Sequence, residues 1–333
     1  MTWLIWRQHR KQLLFGVAAL IVLGGFFLAT GRPMHDRFNE AGLPDCLPET
    51  IDATVVTDLY GTGETGAEPG SVGDTVDRSS TGDGTDAVTR CAQMADDFYS
   101  DYQNVVFVGL LLLILPMLAG MFWGAPLVAR ELEHGTHRLV WTQGTTRLRW
   151  GATKVGLVAV GVLTMTAVYA GMLTWWITPV IQTSGQRFDF IFFDIHGIVV
   201  FGYTTFALAL GIFAGAVTGR LLTAMAATVV GFLATRLAIM LAARPNYLPT
   251  EDTKIDQALG NQQWNRLHGD WIRSTSFDVA PGCPADLPDC VVVLTMHPAR
   301  HFWTFQVIET AIFLALAIGL ILATLYWIRR RIT

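Results

Sequence analysis

The chain has 333 residues, of which 52% are hydrophobic and only 15% are charged, and its formal net charge is −4. Soluble domains carry about 25% charged residues, so this composition excludes a disordered chain and argues against an ordinary soluble domain. It favours an integral membrane protein.

Six apolar runs are long enough to cross a bilayer, which takes about 20 residues of α-helix. We therefore predict an all-α membrane protein with six transmembrane helices at residues 13–30, 105–123, 155–178, 197–218, 221–243 and 303–327. The first run is longer than the roughly 7 to 15 apolar residues of a cleaved signal peptide, so we interpret it as a transmembrane helix. Only Gly219 and Arg220 separate the fourth and fifth runs, which predicts a tight helical hairpin.

The segments between these runs form two sets of opposite charge. One set holds twelve Lys or Arg and two Glu, and comprises residues 1–12, 124–154, 219–220 and 328–333. The other set holds ten Lys or Arg and twenty-four Asp or Glu, and comprises residues 31–104, 179–196 and 244–302. Because basic loops stay in the cytoplasm, we predict cytoplasmic termini and two large extracellular loops, 31–104 and 244–302. Residues 1–12, with Trp3 and Trp6 beside Arg7, are predicted to form an interfacial helix.

The two large predicted extracellular loops contain all four cysteines. They differ from each other in composition. Cys46 and Cys91 lie in the first loop, and Cys283 and Cys290 lie in the second. An oxidising exterior favours disulfides, and the simplest pairing is within each loop, with four unpaired thiols as the alternative. The centre of the first loop is acidic and poor in apolar residues, which predicts a mobile segment. The second loop mixes aromatic and aliphatic residues with Pro and Gly, which predicts a small folded cap.

Two ionisable side chains, Arg236 and Glu309, fall inside predicted spans. An Arg at the centre of a bilayer costs about 2.5 to 3.5 kcal/mol, so each must face protein or water. Both lie at a similar depth from the acidic side, which predicts an ion pair between adjacent helices. Such a pair either only fixes the helix packing or takes part in substrate passage.

Small residues predict how the helices pack. Gly211, Gly215 and Gly219 lie on one face of the fourth span, where they allow another helix to approach closely. Pro116 removes a backbone donor within the second span, which predicts a kink there.

Two sequence stretches and the six-span plan resemble the permease subunits of bacterial type-2 ABC exporters. The stretches are Trp3-Leu4-Ile5-Trp6-Arg7-Gln8-His9-Arg10 and Ala129 to Gln143, the latter followed by Thr146 to Trp150. In that family, the Glu-x-Glu-x-Gly-Thr segment after the second span is a coupling helix that docks on the ATP-hydrolysing subunit. The resemblance carries this role to Glu131, Glu133, Gly135 and Thr136, with Arg130, His134, His137 and Arg138 on the same segment.

The resemblance also implies the partners of the chain. They are two copies of a separate ATPase subunit, which would bind ATP and Mg, a second permease copy in a homodimer, and the bacterial plasma membrane. The implied activity is export of an amphipathic compound such as a drug, lipid or peptide.

The sequence carries no motif for chemistry of its own. It has no G-x-x-x-x-G-K-[ST] phosphate loop and no G-x-S-x-G nucleophile elbow. His134 and His137 lack the H-E-x-x-H spacing, so we predict neither a metal nor another cofactor in this chain. Nor do we predict a nucleic acid partner. The alternative to a permease is a non-transporting membrane sensor or accessory component with an extracellular ligand-binding cap, and a membrane enzyme ranks last.

Overall fold

The computed structural model describes residues 2–47, 79–133, 147–256, 269–278 and 291–331, and this part is mostly helical. Within the described ranges, six helices are long and apolar enough to cross a membrane, as predicted. We number them spans 1 to 6: Gln12–Glu40, Val105–Glu133, Val155–Ser184, Val199–Thr218, Leu221–Asn246 and Ala299–Ile328. Spans 4 and 5 are joined at Gly219, whose φ of 62° closes the predicted tight turn.

The helices often extend beyond the predicted runs. Their bounds are α1 (Thr2–Glu40), α2 (Leu43–Cys46), α3 (Ser79–Tyr102), α4 (Val105–Leu112), α5 (Leu115–Ala119), α6 (Ala125–Glu133), α7 (Arg147–Ser184), α8 (Phe190–Ile195), α9 (Val199–Thr218), α10 (Leu221–Ala238) and α11 (Phe302–Arg331). The helix α1 runs without a break through the predicted interfacial segment 1–12 and ten residues beyond residue 30.

The helix α3 lies within the predicted loop 31–104. Its buried residues Cys91, Ala95 and Phe98 recur at helical spacing, and Phe98 packs edge-on against Phe38 with ring centroids 5.6 Å apart. One apolar stripe on an acidic helix is therefore enough to dock it on the end of span 1. Of the segment predicted to be mobile, the part up to residue 78 lies outside the described residues.

The predicted cap contains a β-sheet, so the all-α fold class is wrong for this part of the chain. Strands β1 (Glu251–Asp256), β2 (Trp271–Asp278) and β3 (Val291–His297) form an antiparallel sheet in the order β1-β3-β2. The β-branched run at the start of β3 suits the central strand, where Leu294 is fully buried.

Span 4 is the centre of the bundle, because 78% of its apolar window is buried, against 11 to 28% for the other spans. Two glycines bring span 2 against its backbone. A Cβ added to Gly211 would lie 2.7 Å from the amide nitrogen of Ala125, and one added to Gly215 would lie 2.8 Å from the Ala125 carbonyl oxygen. Backbone contact this close leaves no room for a side chain, so these glycines fix spans 2 and 4 together.

Spans 2 and 5 both depart from a regular α-helix. In span 2, α4 ends at Leu112, α5 begins at Leu115 with Pro116 in its first turn, and a π-helix follows at Gly120–Gly124. In span 5, a π-helix at Ile239–Ala243 leads into a 3₁₀ turn at Arg244–Asn246. Both irregular regions lie close to the buried charges described next.

Candidate functional site

The short helix α8 places a carboxylate inside the bundle. Asp189 caps its start by accepting a hydrogen bond from the Ile191 amide at 2.9 Å, and the residues from Ile191 to Ile195 are buried. Gln306 of span 6 fixes its other end. The Gln306 side chain donates to the Phe193 carbonyl at 2.9 Å and accepts from the Val199 amide at 2.9 Å. Asp194 is therefore held rigidly beside span 4.

Asp194 is the centre of a buried network of two arginines and two carboxylates. Its two oxygens each lie 2.5 Å from a guanidinium, Oδ2 from Arg236 and Oδ1 from Arg244. Arg244 also donates two hydrogen bonds to Glu309, from Nη2 to Oε1 at 2.7 Å and from Nε to Oε2 at 2.8 Å. The side chains of Asp194, Arg244 and Glu309 are at most 3% exposed, and that of Arg236 is 12% exposed. We call these four residues the charge network.

This geometry corrects the predicted direct pair of Arg236 with Glu309. Both residues belong to the charge network, but Arg236 binds Asp194 whereas Glu309 binds Arg244. Asp194, which lies between them in the network, falls in residues 179–196, where hydropathy predicts a loop and no buried charge. An Asp within the aromatic run Phe190 to Ile195 was the available sign of a buried carboxylate.

Aromatic rings complete the charge network. The Tyr203 hydroxyl lies 2.5 Å from Glu309 Oε1 and 2.8 Å from Asp194 Oδ1, and it has a single proton, so it donates to one carboxylate at a time. The Arg244 guanidinium lies 4.2 Å from the ring centroid of Phe193, and that of Arg236 lies 4.9 Å from the Tyr203 ring. The charges are therefore balanced and their donors are largely used, as buried ions require.

Arg236 also connects the charge network to the break in span 2. Its Nη1 donates to the Leu113 carbonyl at 3.2 Å, just where the helix is interrupted. Pro116 supplies no amide to the Leu112 carbonyl, which instead accepts from the Tyr169 hydroxyl at 3.4 Å. Side chains from spans 3 and 5 thus donate hydrogen bonds to backbone carbonyls at the break that Pro116 causes in span 2.

The segment predicted to be a coupling helix is described only as far as Glu133. In α6, Ala125, Leu127 and Ala129 are buried against the bundle, whereas Arg130 and Glu133 are exposed. Glu133 Oε2 accepts a hydrogen bond from the Leu221 amide at 3.0 Å, which links α6 to the start of span 5. The remaining predicted residues lie outside the described residues: His134, Gly135, Thr136, His137 and Arg138.

The first predicted disulfide is present. Cys46 and Cys91 are joined with their Cα atoms 5.8 Å apart, which ties α2 to α3. Cys283 and Cys290 lie outside the described residues. Within the ranges that are described, no group of three or more His, Cys, Asp or Glu could hold a metal ion.

Comparison with known proteins gave one family match. The model of a family described as ABC-2 membrane transporter related matches residues 68–244, which include all of spans 2 to 4 and nearly all of span 5. No curated protein and no solved structure matched the chain.

Proposed function

This chain belongs to the ABC-2 membrane transporter related family, and we propose that it is the permease subunit of an ATP-driven exporter. The observation that carries the proposal is the family match across spans 2 to 5, within a six-span multi-pass chain. The permease works with a separate ATPase subunit in two copies, which binds ATP and Mg, and with a second copy of itself. It moves an amphipathic compound out of a bacterial cell, and its termini are cytoplasmic.

In this proposal the ATPase contacts the segment from Arg130 to Arg138. Its described part suits that role, because α6 presents Arg130 and Glu133 to solvent at the end of the bundle where the basic segments lie. The buried side of α6 is locked to span 4 by the backbone contacts at Gly215. A displacement of α6 would therefore also move span 4, because close-packed backbone contacts between the two helices deform little.

The charge network is the second element of the proposed mechanism. It joins α8 to spans 5 and 6 near the opposite end of the bundle, and Tyr203 of span 4 contacts both of its carboxylates. Arg236 also reaches the break in span 2. We assign the break at 113–114 as the point where the α6 half of span 2 moves relative to the α4 half. The two halves can shift if Arg236 exchanges the Leu113 carbonyl for another acceptor, while Asp194 keeps its charge compensated.

The coupling assignment is tested by co-expressing the chain with ABC ATPase subunits of the same organism and measuring co-purification and ATP turnover. Replacing Glu131 and Glu133 with Ala should uncouple or dissociate the complex. Because Glu133 also caps span 5, the variant Glu133→Gln separates its two roles: an amide oxygen can keep the hydrogen bond to Leu221 but has no charge.

The matched control is Glu40→Ala, which removes an exposed carboxylate at the C-terminal end of span 1, on the membrane face opposite the proposed coupling segment. The proposal predicts that it assembles normally, whereas the Glu131 and Glu133 double variant does not. Assembly and ATP turnover that are unchanged in the double variant would remove the coupling assignment.

A further inference from the structure

A cavity of about 790 Å³ lies between the sheet and the bundle, away from the coupling segment. Three segments line it: residues 184–190 after span 3, residues 240–245 at the end of span 5, and residues 269–273 at the start of β2. This volume is in the range of pockets that bury drug-sized ligands, so it can take part of a larger amphipathic molecule.

One part of the cavity lining is apolar and exposed. Phe190, Leu241 and Ile272 are large hydrophobic side chains on its rim, and each is exposed in the described chain. Leu241 belongs to the last turns of an apolar span, so this rim continues the lipid-facing surface of span 5. A ligand with an acyl chain can therefore enter from the side, out of the bilayer.

The polar part of the lining includes two carboxylates, Asp189 and Asp270, and two arginines, Arg244 and Arg273. Asp189 accepts from the Ile191 amide and Asp270 accepts from the Ala299 amide at 2.7 Å, so both carboxylates have structural partners. Arg244 is held by Asp194 and Glu309. Arg273 forms no ion pair among the described residues, and its guanidinium lies 5.5 Å from the Trp271 ring centroid.

The backbone at Arg273 is irregular in a way that redirects its side chain. Ile272 pairs with Met296 and Ser274 with Thr295, so Arg273 has no partner residue on β3. Such bulges change the direction of a side chain and occur next to binding sites. Arg273 also lines a second cavity of about 590 Å³, formed with residues 245–250, Ser274 and Thr295. Arg273 thus lines both cavities, and no carboxylate of the described ranges forms an ion pair with it.

We propose that the larger cavity binds an amphipathic anion, with its phosphate on Arg273 and its acyl chain along the rim formed by Phe190, Leu241 and Ile272. The occupant is an anionic phospholipid of the leaflet next to the sheet. Guanidinium groups bind phosphate with paired, charge-assisted hydrogen bonds, and the apolar rim supplies the surface for a chain. This site does not depend on ATP or on a partner subunit, so it stands or falls separately from the proposed export function.

The test uses the full-length chain, purified in detergent and freed of lipid, with binding followed by native mass spectrometry. Dioleoylphosphatidylglycerol is titrated as the anionic lipid, dioleoylphosphatidylcholine as the zwitterionic one, and inorganic phosphate as a competitor without a chain. We expect tighter binding of phosphatidylglycerol and no displacement by millimolar phosphate.

Arg273→Gln should weaken phosphatidylglycerol binding by about tenfold or more, because a hydrogen bond to a charged group is lost. Arg300→Gln is the matched control, since Arg300 is an exposed cation at the same end that pairs with Glu251 and lines neither cavity. For the apolar wall, Leu241→Ala should weaken binding whereas Leu237→Ala, an equally lipid-exposed position one turn earlier, should not.

Equal binding to the native chain and Arg273→Gln would overturn the assignment of the anion site. Equal affinity for the two lipids would do the same. Displacement by inorganic phosphate would overturn the lipid as the occupant, since it would show a site for small anions.

Discussion

The pairing of Asp194 with Arg236 in the charge network predicts how much stability each of two substitutions should remove. Asp194→Asn keeps the shape of the side chain but removes the charge that compensates Arg236. Arg236 is then left with the Leu113 carbonyl and the face of the Tyr203 ring. Removal of one partner from a buried ion pair costs about 3 to 5 kcal/mol.

The reverse change should cost less. Arg236→Gln leaves Asp194 paired with Arg244 and within hydrogen-bond distance of the Tyr203 hydroxyl, so we expect a loss of about 1 to 3 kcal/mol. The double variant retains the balanced pair of Arg244 with Glu309. It should therefore be less destabilised than the sum of the single variants by about 2 kcal/mol.

The assay is the free energy of unfolding in mixed detergent micelles, with Leu237→Ala as an exposed control on the same span. The same cycle is run for Arg236→Gln with Glu309→Gln, two residues that share neighbours but are not paired. Its coupling energy should be clearly smaller than that of the Asp194 cycle. A larger coupling energy in the Glu309 cycle would contradict the pairing of Arg236 with Asp194 and favour a direct pair of Arg236 with Glu309.

Two further predictions concern packing and pH. Gly211→Ala should destabilise the chain by about 1 to 3 kcal/mol, because its Cβ would meet the Ala125 backbone, whereas Gly319→Ala, which meets nothing within 4 Å, should be neutral or slightly stabilising in the same unfolding assay. Burial lowers the pKa of His297, whose Nδ1 has no hydrogen-bond partner in the described chain, so the unfolded state binds a proton more readily. Stability, measured by thermal unfolding, should thus fall as the pH is lowered from about 7 towards 5. His297→Phe should make stability less dependent on pH in this range. The same pH dependence in the native chain and the variant would contradict the role of His297.

Hydropathy predicted the number and the approximate place of the six spans, since the cost of exposing polar groups to lipid dominates that choice. It did not predict where helices continue into water. Span 1 extends to Glu40 and α3 forms in an acidic loop, because docking of Phe98 on Phe38 and the disulfide of Cys91 stabilise helices that composition alone does not favour.

The charge network shows the same limit within the membrane. Arg236 and Glu309 were recognisable because they interrupt apolar runs, and their similar depth placed them together. Asp194 and Arg244 were not, since each lies just outside a run and could as well have faced solvent. Their burial depends on the packing of α8 beside span 4, a tertiary contact held by Gln306. The aromatic run around Asp194 indicates burial of this carboxylate but not its partners.

Span 6 follows in sequence the residues that it binds, which has a consequence for how the protein is made. Glu309 and Gln306 both belong to span 6, yet they bind Arg244 and the α8 segment, which are synthesised earlier. Until the ribosome has delivered span 6, Arg244 lacks one of its two counter-ions and the start of span 4 lacks its cap. The charge network can therefore form fully only after residue 309 has been translated, and truncation before residue 306 would leave Arg244 and the start of span 4 without these two partners.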